Sequence, residues 1–141
     1  MAIVDASALK KNYDLWKREL PMVRPHYAVK CNNHPTILKV LHRLGAGFDC
    51  ASPAEMHRAL EAGCTPKDII YANPQKPEDS IVACYKLGVN TFTFDSEAEL
   101  RKMIKCTPKD MRGQFVLRLL PPDESHSVCK FGVKFGANPF E

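Results

Sequence analysis

Short apolar runs of four or five residues alternate along the chain with amphipathic stretches of about ten, and a polar residue closes most of the runs. The runs begin near Tyr27, Phe48, Ile69, Thr91 and Phe115, at steps of 21, 21, 22 and 24 residues. Between them the apolar positions fall at helical spacing. Ile37, Leu38, Leu41 and Leu44 form one stripe in residues 35–44, and Met56, Ala59 and Leu60 another in 53–62. Ile81, Cys84 and Tyr85 do so in 77–87, and Leu100, Met103 and Ile104 in 97–105. Strands alternating with helices at this interval predict parallel pairing through right-handed crossovers.

Local signals agree with these boundaries. Ser52-Pro53-Ala54-Glu55 and Ser96-Glu97-Ala98-Glu99 read as capping boxes, the first with proline at the opening helical position. Gly45, Gly63 and Gly88 stand where helix C-caps belong. Upstream, residues 2–6 (AIVDA) read as a short strand. Ser7 reads as the N-cap of a helix over 8–20, with Leu9, Tyr13, Trp16 and Leu20 on one face and Pro21 as its stop. Tyr27, Ala28 and Val29 read as a strand delivering Lys30 at its end. After Arg118 the rhythm breaks: residues 119–130 read as a loop and 131–135 as a short return segment.

The expected strand tips carry Lys30, Asp49 with Ser52, Asn73, Asp95 and Arg118. In a βα-barrel the C-terminal strand ends face the active site, so polar residues gathered there carry meaning. Loops are polar in any fold, which accounts for Ser52, Asn73 and Asp95. Lys30, Asp49 and Arg118 sit inside or against apolar strands, where that explanation is weaker. A doubly wound sheet shares the local pattern, but the glycine-rich fingerprint of its dinucleotide-binding form is missing after the first strand. The fold class expected is α/β, a partial (β/α)8 barrel with about the first five of eight strands.

A lysine on such a strand suits Schiff-base chemistry, and an amine must be neutral to attack a carbonyl. Pyridoxal phosphate is the obvious carbonyl partner. The competing reading is a rim lysine whose stem packs while its head stays in water. Glu55 has an equally good reading as a cap, and Cys31 and Cys50 as small packing residues rather than reactive thiols. Lys134 is an interface cation or a solvated loop lysine.

Composition narrows the partners. The net charge is 20 − 16 = +4 with no basic cluster among aromatics, which argues against a nucleic-acid surface. The six cysteines have no C-x-x-C pair, and the five histidines lack metal-ligand spacing, so no metal is expected. Charges throughout residues 5–19 leave no signal-peptide core, and no apolar run reaches membrane-spanning length. Free thiols in a cytoplasmic setting are the expectation.

Six blocks in order then carry a resemblance: YAVKCN at 27–32, GFDCAS at 47–52, IIYANPQK at 69–76, TFDSEAEL at 93–100, VLRL at 116–119 and VKFGA at 133–137. The chain resembles the eukaryotic-type ornithine decarboxylases, within the barrel family that also holds diaminopimelate and arginine decarboxylases. The resemblance covers about residues 2–137. It implies that Lys30 carries pyridoxal phosphate, that Asp49 and Glu55 are acidic residues beside that lysine, and that Arg118 lies near the cofactor. It implies decarboxylation of L-ornithine to putrescine, a cytoplasmic homodimer with Lys134 at the subunit interface, and antizyme as a further partner. By the same resemblance, the phosphate site, the ring-stacking histidine, the acid for the ring nitrogen and a β-rich second domain would lie outside these 141 residues. Residues 1–141 are thus expected to be an incomplete pyridoxal-phosphate-binding barrel domain, inactive alone. The alternatives are a non-catalytic regulator like the antizyme inhibitors, a gene remnant, and an alanine-racemase-like barrel, which GFDCAS and VKFGA disfavour. The stretch matching an antizyme-binding region, about 76–99, is present without being conspicuously basic.

Overall fold

A computed structural model of the chain describes residues 5–120 and 135–140. They fall into two compact units, the first ending at Tyr71 and the second beginning at Ala72. Five strands, all parallel in their pairings, alternate with helices, as the spacing of the apolar runs predicts.

The first unit opens with α1 (Ala6–Glu19), then β1 (His26–Ala28), α2 (Pro35–Leu44), β2 (Gly47–Cys50), α3 (Pro53–Glu61) and β3 (Ile69–Tyr71). Two single 3-10 turns, Val29–Cys31 and Pro66–Asp68, precede α2 and β3. β2 lies between β1 and β3, with Tyr27 opposite Phe48 and Phe48 opposite Ile69. Phe48, Cys50, Ile69 and Tyr71 are buried, together with Leu38 of α2 and Met56 of α3. Each large side chain so enclosed contributes about 1.5–3 kcal/mol. β2 starts on Gly47 because a Cβ there would meet the Asp68 carbonyl oxygen at 2.9 Å and the His26 ring at 2.5 Å. Arg24 Nη2 reaches Asp68 Oδ1 at 2.7 Å in the same corner.

The start of the chain corrects two expectations. Of the strand expected at 2–6, residues 2–4 lie outside the described residues, and Ala6 is already helical. The N-cap is Asp5 rather than Ser7: its carboxylate accepts from Ser7 N at 2.8 Å and from Ser7 Oγ at 2.7 Å. Asp and Ser are comparable caps, and an aspartate two residues earlier extends the helix by two positions. α1 buries none of its residues: Leu9 and Tyr13 are half-buried, while Trp16 and Leu20 of the expected stripe are exposed.

The second unit comprises α4 (Glu78–Lys86), β4 (Thr91–Phe94), α5 (Glu97–Cys106) and β5 (Gln114–Leu117). β4 and β5 pair with Phe92 opposite Phe115. The rings of Tyr85 and Phe115 flank Phe92, with centroids at 5.1 and 6.4 Å. Ile81, Cys84, Val89 and Met103 complete this core. Beyond β5, Leu119 bridges to Ala137 in parallel sense.

α2 ends as expected on Gly45, whose φ of 96° is a left-handed conformation that costs glycine little. α5 departs from expectation. Ser96 Oγ accepts from Glu99 N at 3.4 Å, but the Glu99 carboxylate turns inward to Lys76 and does not close a capping box. In the expected stripe only Met103 is buried; Ile104 is exposed, and Glu99 is enclosed in its stead.

Candidate active site

β1 stops at Ala28, and the buried Val29 begins the 3-10 turn that carries Lys30. Lys30 therefore sits just past the strand, in a turn, and the strand itself ends one residue earlier than the expected Val29. The Lys30 side chain is exposed, and among the described residues no hydrogen bond or ion pair engages it. Such an amine is free to meet a carbonyl compound arriving from solvent.

Asp49 stands on β2 opposite Ala28, two residues before Lys30. It is half-buried, and burial pushes its carboxyl above the ordinary carboxylate range. The Lys30 ammonium opposes that rise, the Glu55 carboxylate adds to it, and His26 opposes it. Lys30, Asp49 and Glu55 thus form one electrostatic group.

Glu55 is held by the start of α3. Its amide donates to Ser52 Oγ at 3.3 Å, and its Oε2 accepts from Ala51 N at 2.7 Å. The carboxylate reaches past the N-cap residue to the amide before it, so half of the expected box forms and half is displaced by one residue. Ala51 and Ser52 follow directly on β2, and Glu55 is therefore tied to the tip that carries Asp49.

Arg118 belongs to the second unit. Its amide donates to Phe94 O at 2.8 Å, and its carbonyl accepts from Ala137 N at 2.9 Å. Its guanidinium lies 5.7 Å from the centroid of the Phe135 ring. The side chain is half-buried and, among the described residues, forms no ion pair. Lys134 lies outside the described residues. At the other expected tips, Asn73 Oδ1 accepts from Gln75 N at 3.4 Å and Asp95 Oδ2 from Gly136 N at 3.2 Å.

The sequence reading missed one cluster. Lys76, 2% exposed, donates from Nζ to Thr93 O at 2.6 Å, to Asn73 O at 3.0 Å and to Pro74 O at 3.3 Å. The same ammonium pairs with Glu99 Oε1 at 3.0 Å, and Lys102 Nζ pairs with Glu99 Oε2 at 2.5 Å. Burial pulls the Lys76 ammonium down from the usual lysine range. Burial also opposes the Glu99 charge, yet Lys102 and Lys76 together hold its carboxyl below the usual range. A signal existed for Glu99, which stands four residues before buried Met103 on one helical face. Lys76 has none, since it lies in a loop without periodicity.

An exposed, unengaged lysine thus stands just past a strand of a parallel βα domain, coupled to a half-buried carboxylate on the next strand. Residues 6–140 match the family described as pyridoxal-dependent decarboxylase, pyridoxal binding domain, and the chain belongs to that family. It is 42% identical over 139 residues to the chloroplastic ornithine decarboxylase of Nicotiana glauca, covering 99% of this chain and 31% of that protein. Among solved structures it superposes on the arginine decarboxylase of Paramecium bursaria Chlorella virus with a TM-score of 0.86 at 35% identity, covering 96% of this chain and 36% of the other. The ornithine decarboxylase of Entamoeba histolytica gives a TM-score of 0.77 at 38% identity, with 82% and 33% covered. The chain thus spans about a third of the length of the relatives it matches. The parallel strands and intervening helices are those of the decarboxylases' barrel domain, and the partial-barrel expectation holds.

Pyridoxal phosphate is the cofactor of this domain. The residues present fit its aldehyde: Lys30 offers a primary amine that no acid pairs with among the described residues, Asp49 and Glu55 are half-buried, and Glu55 is held by the Ala51 amide. No described helix is long and apolar enough to cross a membrane.

Proposed function

We propose that this chain contributes the lysine-bearing part of a pyridoxal-phosphate-dependent L-ornithine decarboxylase, which forms putrescine. The observation that carries the reading is the exposed, unengaged Lys30 beside Asp49, in a chain of the pyridoxal-dependent decarboxylase family. The ornithine decarboxylases among its relatives supply the choice of substrate.

Bound pyridoxal phosphate supplies the electron sink that takes up the electron pair left when carbon dioxide departs. The residues of this chain do the rest. Lys30 would hold the cofactor's aldehyde through Nζ, and as a free ammonium it would hold a proton near the reacting carbon. Asp49 keeps a negative charge close to that amine and so favours its protonated form between steps. Glu55, anchored by the Ala51 amide, maintains the negative field at Asp49 without itself moving. Arg118 offers a guanidinium to an anionic oxygen. Homodimer formation with Lys134 at the interface, antizyme binding and a cytoplasmic location belong to the same proposal.

The test is borohydride trapping of the cofactor in the full-length protein, followed by peptide mapping and by assay of carbon dioxide release from ornithine, arginine and lysine. The expected result is a label on Lys30, lost in Lys30→Arg, with ornithine preferred. A label that persists in Lys30→Arg, or arginine or lysine as the preferred substrate, would overturn the reading.

A further inference from the structure

Arg118 is held by a segment that the proposed chemistry does not use. Ala137 N donates to Arg118 O at 2.9 Å and Leu120 N to Ala137 O at 2.8 Å, so Ala137 lies alongside the chain just past β5. Immediately before it stands Gly136, at a φ of 144°. A Cβ there would meet Leu120 N at 2.7 Å and Leu120 Cα at 2.9 Å, so only glycine lets the two backbones approach this closely. The residue before it, Phe135, places its ring against the Arg118 guanidinium at 5.7 Å, within cation–π range. A side chain from elsewhere in the unit meets this segment: Asp95, just past β4, accepts from Gly136 N at 3.2 Å across 41 residues of sequence. β4 also holds Arg118 directly, through Phe94 O.

The geometry points to Asp95 as a positioning residue. Its carboxylate clamps Gly136, the clamp seats Phe135 on Arg118, and the oriented guanidinium receives an anionic oxygen of the cofactor or the substrate. Two observations converge on that role for the arginine. It is half-buried without an ion-pair partner among the described residues, and its planar head is braced on a ring rather than on a carboxylate. A guanidinium so placed keeps its five N–H donors for a ligand. Asp95, by contrast, accepts from a backbone amide, where it fixes conformation, and its charge also favours the Lys76 ammonium. The identity of the ligand rests on the decarboxylase reading above; the clamp does not.

The test compares Asp95→Ala, Asp95→Asn and Phe135→Leu in the full-length protein loaded with pyridoxal phosphate. Hydrogen exchange by mass spectrometry follows the peptide spanning 135–140, a titration of apoprotein gives the cofactor Kd, and steady-state kinetics with ornithine separate KM from kcat. Asp95→Ala is expected to speed exchange at 135–140 by about tenfold or more and to raise either Kd or KM by about tenfold, with kcat little changed. A rise in Kd alone would assign the oxygen to the cofactor, and a rise in KM alone to the substrate. Asp95→Asn should restore most of the effect, since its amide oxygen still accepts from Gly136. Phe135→Leu, which keeps the packing and removes the ring, should raise the same constant without speeding exchange. Unchanged exchange in Asp95→Ala would overturn the clamp. Freed exchange with neither constant moved would overturn the positioning role, as would exchange spreading to α2 and α3. If the wild-type protein takes up no cofactor, the decarboxylase reading fails while the exchange measurement still judges the clamp.

Discussion

Replacing Glu99 by alanine strips the buried Lys76 ammonium of the carboxylate that meets it through Oε1 at 3.0 Å. Three carbonyl oxygens still surround the ammonium, at 2.6, 3.0 and 3.3 Å, so these hydrogen bonds survive while the carboxylate paired with it is lost. Breaking a buried pair from one side costs about 3–5 kcal/mol. That is a large part of the roughly 5–15 kcal/mol that holds a domain folded. Lys102→Met removes the other cation from Glu99, but Lys102 is 29% exposed at its side chain and its contribution is screened. It should cost under about 1 kcal/mol. The double variant Lys76→Met with Glu99→Ala should fall short of the sum of its singles by at least about 1 kcal/mol, as expected of residues in contact. The assay is urea unfolding of the protein at pH 7.5, repeated down to pH 4. Because the folded carboxyl of Glu99 titrates below its unfolded value, its stabilisation is present at neutral pH and disappears as pH falls through the lowered value. Glu99→Ala should therefore flatten the acid limb of the stability profile. A loss below about 1 kcal/mol in Glu99→Ala, or an additive double variant, would refute the account of this cluster.

Three further outcomes follow from the coordinates. Asp49, whose folded carboxyl titrates above its unfolded value, destabilises the fold when ionised, so Asp49→Asn should raise Tm near pH 7, with the gain shrinking as pH falls towards that raised value. A gain that stays the same from pH 8 down to pH 3 would contradict this. The Cys84 thiol is pushed up to about 12 and Cys64 to about 11 by burial, whereas Cys31 is exposed; a thiol reagent at pH 8 should label Cys31 quickly and the other two only in denaturant. Labelling of Cys84 as fast as Cys31 would be inconsistent with the core of the second unit. Gly47→Ala forces a Cβ towards the Asp68 carbonyl oxygen at 2.9 Å and should cost about 1–3 kcal/mol in the same urea assay, and a neutral outcome would show that this corner yields.

Much of this was legible in the residues, for reasons that differ by element. α2 occupies the span its apolar stripe marks out, because Pro35 and Gly45 punctuate it and three of the stripe's four residues are buried. The strands begin within one residue of expectation, since each is a short apolar run between polar turns. The start of α1 was misplaced because Asp5 and Ser7 are both competent caps and only three-dimensional placement chooses between them. The turn at Lys30 was hidden because Tyr27, Ala28 and Val29 form an apolar run equally suited to continuing the strand. At the site, Lys30 and Asp49 were readable from their positions at successive strand tips, whereas Glu55 read equally well as a helix cap and joined them only through the family resemblance. Glu99 and Lys76 were not, because a charged side chain at a buried position is recognised by its partner, and these two stand 23 residues apart.

The hydrogen bond from Ala51 to Glu55 makes the beginning of α3 a control on protonation chemistry elsewhere. Asp49 senses Glu55 at a position that helix initiation, rather than catalysis, holds in place. Substitutions at Ser52, Pro53 or Ala54 that tilt the first helical turn by a fraction of an ångström would therefore shift the pH response of the site while every reacting group stays the same. Related proteins working in compartments of different acidity could diverge along this route, adjusting a helix start that touches neither cofactor nor substrate.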